Sequence, residues 1–194
     1  MLKLNEYGRT KNGTKGLSKS WKVEKAHKGV YTGGKVQVSK NGKFIACILH
    51  DDVAILDGDS GELLKTLQGD KEKEEREAIL SFAIRPNEKQ IVTASRNLLI
   101  RLWDLETLKV ERTIKAHDTP VLAMDFDPTG TLVATGSSDR TVKVFDIEKG
   151  YITHNFKGHS GIVIQVKFHP DPKRLSLVST SEDTNGMLVM QPSH

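Results

Sequence analysis

Two pairs of landmarks recur at one spacing: His117 and His159 lie 42 positions apart, and so do Asp104 and Asp146. A fixed period of this length means that one supersecondary unit is built several times, each copy burying its apolar face against the next. The unit is readable without a gap from Ala116 to Gly158. Its runs VLAMDF, LVATG, TVKVF and YITHNF are apolar or alternating, and they are separated by Asp127-Pro128-Thr129-Gly130, Ser138-Asp139-Arg140 and Glu148-Lys149-Gly150, which are turn chemistries. Four short strands per unit follow, and an all-β chain.

The other units are less regular. In the first, WKVEKAH, KVQVS, KFIACIL, DVAILD and ELLKTLQG read as strands, and Asp57 stands where Asp104 and Asp146 stand, with Leu56 in place of an aromatic residue. The mixed charge run from Asp70 to Glu77 reads as an exposed loop on one rim. The second unit holds a full Trp103-Asp104 pair but has Glu75 or Arg76 where a His would open it. The fourth starts at His159 and then changes character: Met190 takes the aromatic position and Gln191 the acidic one, and Pro192 argues against an inner strand.

Four strands per period, with Trp103-Asp104, Phe145-Asp146 and Gly158-His159 as landmarks, resemble the blade of a WD-repeat propeller. The expectation is an incomplete propeller of about four blades of four-stranded antiparallel sheet. Its blades are expected at about 21–69, 70–115, 116–158 and 159–194, the last incomplete, after a basic flexible tail at 1–20. An arc of this size leaves two faces open. Losing about 500 Å² of apolar contact on each costs on the order of 12 kcal/mol per face at about 25 cal/mol/Å², as much as the whole net stability of a domain. The chain is therefore expected to be the N-terminal part of a longer protein, or to pair with blades from another chain.

His117, Asp139 and Thr135 or Ser137 have the composition of a nucleophile triad, and His159, Asp183 and Thr180 repeat it. One active site does not recur with the architecture, so the constellation is read as structural. The WD-repeat resemblance implies a buried hydrogen-bond network through His117, Thr135, Asp139 and Phe145, with Trp103, Asp104, Asp146, His159 and Asp183 in the corresponding roles elsewhere. Phe145 lacks the indole N–H that would complete it. No metal site is expected, because His154, His159 and His169 fall on different strands and turns and Cys47, the only cysteine, reads as a small buried residue. Gly33-Gly34-Lys35 lacks the remaining residues of a phosphate loop. Asp51-Asp52 and Glu182-Asp183 are turn residues. The chain is expected to be no enzyme and to use no cofactor or small-molecule substrate.

The net charge of +4 is modest, but it is concentrated at the start, where Lys11, Lys15, Lys19, Lys22, Lys25 and Lys28 face only Glu6 and Glu24 among acidic residues. These lysines could meet phosphate. No aromatic residues interleave with them, and a solvated tail explains them equally. No apolar run nears the roughly 18 residues that cross a bilayer, and the first residues carry no signal-peptide core. A soluble intracellular protein without membrane contact is expected.

Four longer stretches go further. YTGGKVQVS, NEKQIVTASRNLLIRLWD, FDPTGTLVATGSSDRTVKVFDIEKGYITHNFKGHSGIV and FHPDPKRLSLVST are similar to the transducin-beta-like WD-repeat proteins of the small-subunit processome, in its UtpB subcomplex. That resemblance implies a nucleolar scaffold in U3 small nucleolar RNA-dependent maturation of ribosomal RNA, with other processome WD-repeat proteins as partners and U3 RNA and pre-rRNA contacted indirectly. The repeat alone also permits an adaptor for signalling or ubiquitin ligation, and the lysines permit a direct RNA-binding protein.

Overall fold

The computed structural model describes residues 29, 31–69, 77–183 and 187–190. Fifteen strands make up three four-stranded sheets and one three-stranded sheet. Sheet one is β1 (Val36–Val38), β2 (Phe44–Leu49), β3 (Asp52–Asp57) and β4 (Leu63–Leu67); sheet two is β5 (Ile79–Ile84), β6 (Gln90–Ser95), β7 (Leu99–Asp104) and β8 (Val110–Lys115). Sheet three is β9 (Val121–Phe126), β10 (Leu132–Ser137), β11 (Thr141–Asp146) and β12 (Tyr151–Lys157), and sheet four is β13 (Val163–Phe168), β14 (Leu177–Ser181) and β15 (Met187–Met190). Every sheet is an antiparallel meander in chain order. An incomplete WD-repeat propeller is what the chain forms. The expected strand WKVEKAH, the tail, its six lysines, Gln191 and Pro192 lie outside the described residues, as does the charge run up to residue 76.

The first strands of the sheets, β5, β9 and β13 in particular, pack against one another, so they line the axis. One register runs through all four sheets: Ile45↔Leu56, Ile91↔Trp103, Val133↔Phe145 and Leu177↔Met190 are paired. Met190 thus occupies the backbone position of the aromatic residue.

Alternation along each strand sends one set of side chains to the preceding sheet and the other to the following one. Phe82, Ile84, Ile91 and Trp103 of sheet two face Ala46, Ile48, Val53 and Ile55 of sheet one, and Met124, Phe126, Val133 and Phe145 of sheet three face Val92, Ala94, Ile100 and Leu102 of sheet two. Sheet four closes on sheet three through Val163, Val166 and Leu177. Gly136 is needed there, since a Cβ at that position would stand 2.5 Å from the Val163 Cγ1.

Polar staples reinforce these layers. Arg85 donates from Nε to the Gly130 carbonyl at 2.7 Å and pairs with Glu148 at 2.6 Å, joining sheet two to two turns of sheet three. Asp125 accepts from Lys167 Nζ at 2.7 Å and from the Phe168 N–H at 3.0 Å, joining sheets three and four. Glu77 departs from the exposed loop expected for it: its side chain is 12% exposed and meets the buried Arg101 at 3.0 Å. A buried guanidinium needs an anion, and Glu77 is the one that sheet two supplies.

Candidate functional site

At the rim where β10 turns into β11, His117 places Nδ1 2.8 Å from Asp139 Oδ2 and Nε2 2.8 Å from Thr135 Oγ1. Both Oδ1 contacts of Asp139 come from Thr141, through its hydroxyl at 2.6 Å and its N–H at 2.9 Å. Burial pushes the His117 imidazole below its ordinary pKa and outweighs the opposing pull of Asp139. Burial pushes the Asp139 carboxyl up, but the hydrogen bonds from Thr141 and His117 together hold it below the usual carboxylate range. The neutral ring then donates from Nδ1 to Asp139 and accepts from Thr135 at Nε2. With Thr135 at 0% and His117 at 1% exposure, the hydroxyl is sealed from any substrate. The arrangement holds strands; it does not present a nucleophile.

The other sheets carry partial copies. In sheet four His159 Nε2 lies 2.8 Å from Ser179 Oγ and Nδ1 lies 3.3 Å from Asp183, whose carboxyl is held low first by the Ser160 N–H. Ser179, not Thr180, is the hydroxyl partner. The turn from β13 to β14 is longer than that from β9 to β10, which displaces the fixed offset, and Thr180 alternates to the opposite side of the strand. In sheet two Trp103 Nε1 donates to Thr93 Oγ1 at 2.8 Å, and Asn97 occupies the place of Asp139 in the turn. Sheet three has the His and lacks the indole; its Phe145 is core, 1% exposed. Each sheet therefore keeps the part of the network that its own residues can complete.

Asp104 and Asp146 belong to a different device from the one expected. They sit at the far ends of β7 and β11 and cap the next turn: Asp104 Oδ1 accepts from the Glu106 and Thr107 N–H groups, and Asp146 Oδ1 from those of Glu148 and Lys149. Those N–H groups, Thr107 first at Asp104 and Lys149 first at Asp146, hold both carboxyls low. Asp57 caps the first sheet likewise through Asp59 and Ser60. Each turn ends on one left-handed residue, Gly61, Leu108 or Gly150, with φ of 70, 57 and 79°. Leu108 accepts that conformation at a cost of about 1–2 kcal/mol.

Asp139→Ala should destabilise the chain by about 1–3 kcal/mol, because His117 then keeps a buried, unpaired N–H. The pH dependence follows from the depressed His117 pKa. Its contribution is complete above the ordinary value of about 6.5 and is lost as pH falls toward the folded value. Removing Asp139 takes away the one strong upward pull, so the melting temperature of the variant should fall more steeply with acid than that of the parent. Thermal melts between pH 7 and pH 5 measure both.

Among the described residues no cluster of His, Cys, Asp and Glu could hold a metal ion. The side chains with the chemistry of a site are spent on holding sheets together, and the remaining exposed groups are those of turns and outer strands. Leu63, Val110 and Ile152 take the same place on β4, β8 and β12 and are 50, 41 and 45% exposed.

The profile of the family described as WD domain, G-beta repeat matches residues 61–104, 108–146 and 150–187. Each match starts at the outer strand of one sheet and runs into the third strand of the next. Transducin beta-like protein 3 of Bos taurus is 42% identical over 167 residues, 86% of this chain and 20% of that protein. Its Homo sapiens counterpart is 41% identical over 114 residues, 58% of this chain and 14% of that protein. U3 small nucleolar RNA-associated protein 4 of Saccharomyces cerevisiae is 32% identical over 71 residues, 37% of this chain and 9% of that protein. The chain thus spans about a fifth or less of the length of the relatives that it matches. The likeness to transducin-beta-like proteins read from its stretches is matched by these identities, and with three repeats covering more than half of its length the chain belongs to the WD-repeat family.

Proposed function

We propose that this chain is a non-catalytic scaffold segment in ribosome biogenesis, acting in the nucleolus in assembly of the small-subunit processome and in U3-dependent processing of pre-rRNA. The observation that carries this reading is the identity to transducin beta-like protein 3 across 86% of the chain. The shorter match to a U3 small nucleolar RNA-associated protein supports it. Buried polar networks that serve only to hold sheets fit a surface that works by being shaped. In this reading the basic residues 1–20 precede a propeller segment of 21–194, and units of about 21–69, 70–115, 116–158 and 159–194 offer turns and outer strands to other processome WD-repeat proteins. U3 RNA and pre-rRNA are reached through those proteins.

The test is immunoprecipitation through a tag at the native locus, with bound RNA and protein read together before and after ribonuclease. Recovery of U3 RNA with processome WD-repeat proteins that stay bound after ribonuclease is expected. Signalling or ubiquitin-ligase partners without U3 RNA would overturn the reading. Recovery that depends on Lys11, Lys15, Lys19, Lys22, Lys25 and Lys28 and falls steeply with salt would replace it with direct RNA binding.

A further inference from the structure

Counting back four residues from the first turn of each sheet gives Lys35, Ser81, Ala123 and Gln165, so the innermost strands carry one basic residue at this position. Lys35 does not turn to solvent. It is half-buried and reaches across sheet two, its Nζ donating to the Met124 carbonyl of β9 at 2.7 Å after passing 5.7 Å from the centre of the Phe82 ring of β5. The charged groups that face it are Asp125 of β9 and Lys167 of β13. Asp125 is engaged with Lys167 Nζ and the Phe168 N–H. The hydrogen-bond partner found for Lys35 is thus a carbonyl, while a second ammonium holds the nearby carboxylate.

We propose that Lys35 is a nucleophilic amine at the propeller axis and a site at which the protein is acylated by activated acyl donors, acyl thioesters being the chemical class. An ammonium packed against a ring and a carbonyl, and facing another ammonium, is disfavoured relative to the free amine. Burial, with Lys167 acting in the same direction and Asp125 opposing, brings the Lys35 pKa down to about 8. In the reaction the Nζ lone pair attacks the acyl carbon, the C–S bond breaks, and the departing thiolate takes up the proton that nitrogen sheds. The products are an amide and a thiol, and no oxidant or reductant enters. The amide N–H can still donate to Met124, and loss of the charge removes the repulsion with Lys167, so the modified side chain suits its surroundings better than the ammonium does. This goes beyond the scaffold reading and does not depend on it.

The test is incubation of the full chain with acetyl-CoA between pH 6.5 and pH 10, with each lysine followed by peptide mass spectrometry. Lys115, whose side chain is 68% exposed, is the internal reference. At pH 7.5 Lys35 should be acetylated at least about tenfold faster than Lys115, because a lysine of ordinary pKa near 10.4 is almost wholly protonated there. Its rate should level off near pH 8, while that of Lys115 goes on rising. In urea the two rates should converge. Lys167→Met, at a position exposed enough to spare the fold, should slow Lys35 acetylation at neutral pH and move the plateau upward, since Asp125 then becomes available to the ammonium. Acetylation of Lys35 no faster than that of Lys115, a rate still climbing past pH 9, or indifference to Lys167→Met in a chain that melts normally would each overturn the proposal.

Discussion

Phe82→Ala should lower the stability of the chain by about 3–5 kcal/mol, the cost of emptying a fully buried aromatic position. Phe82 is 0% exposed and stands among Ala46, Ile48, Val53, Ile55 and Leu67 of sheet one and Ile84, Ile91 and Trp103 of its own sheet. Neighbours that belong to two rigid sheets cannot collapse into the space without sliding one blade along the other. The cavity therefore stays, and little of the loss is recovered. The ring also flanks Lys35, so the variant loses a cation–π contact in addition. Against a typical domain stability of about 5–15 kcal/mol, a loss of this size is a third or more of the whole. Urea titration monitored by circular dichroism measures it. A loss under about 1 kcal/mol would mean that sheets one and two do not share this core.

Glu77→Ala should cost a comparable amount, about 3–5 kcal/mol, for an electrostatic reason. The variant leaves the Arg101 guanidinium, 5% exposed at its side chain, without the carboxylate that meets it at 3.0 Å. The Ser95 hydroxyl at 3.1 Å stays in place but carries no charge. Stranding a buried cation is far more costly than removing both partners. The double variant Glu77→Ala/Arg101→Met should therefore recover much of the loss, and the double-mutant cycle should show a coupling well above 1 kcal/mol. Sheet three shows that the fold tolerates a different solution: its Lys143, one period after Arg101, donates to the Ala116 carbonyl at 3.0 Å and needs no acid. Equal losses in the single and double variants would mean that the pair contributes nothing beyond packing.

Much of the architecture was legible because it is periodic. Runs such as TVKVF and LVATG, bounded by Asp-Pro-Thr-Gly and Ser-Asp-Arg, specify strands and turns locally, and the Trp103-Asp104 and Phe145-Asp146 pairs fix the phase. The His117, Thr135 and Asp139 side chains meet, and Trp103 reaches Thr93. What periodicity misses is anything that breaks it. The long turn ahead of β14 moved the hydroxyl partner of His159 to Ser179, one residue from the expected Thr180, and in a strand one residue is the difference between two faces. Asp104 and Asp146 share their strands with the network but lie a strand length away from it, a separation that spacing along the chain does not reveal. Arg85, Lys35 and Glu77 gave no local signal either. Their partners are 63, 89 and 24 residues distant, and only the stacking of sheets brings them together.

The family repeats and the sheets are out of phase by one strand: β8 opens the repeat at 108–146, yet it is the outer strand of the sheet whose other three strands belong to the repeat at 61–104. Consecutive repeats therefore overlap like shingles, each pinning down the edge of the one before. When one repeat opens, it strips a strand from its neighbour and exposes the ladder of β7, so fraying at one place spreads backward along the arc. Amides of β7 and β8 should exchange hydrogen as one cooperative group although they belong to different repeats, and the boundaries that matter for unfolding are those between sheets.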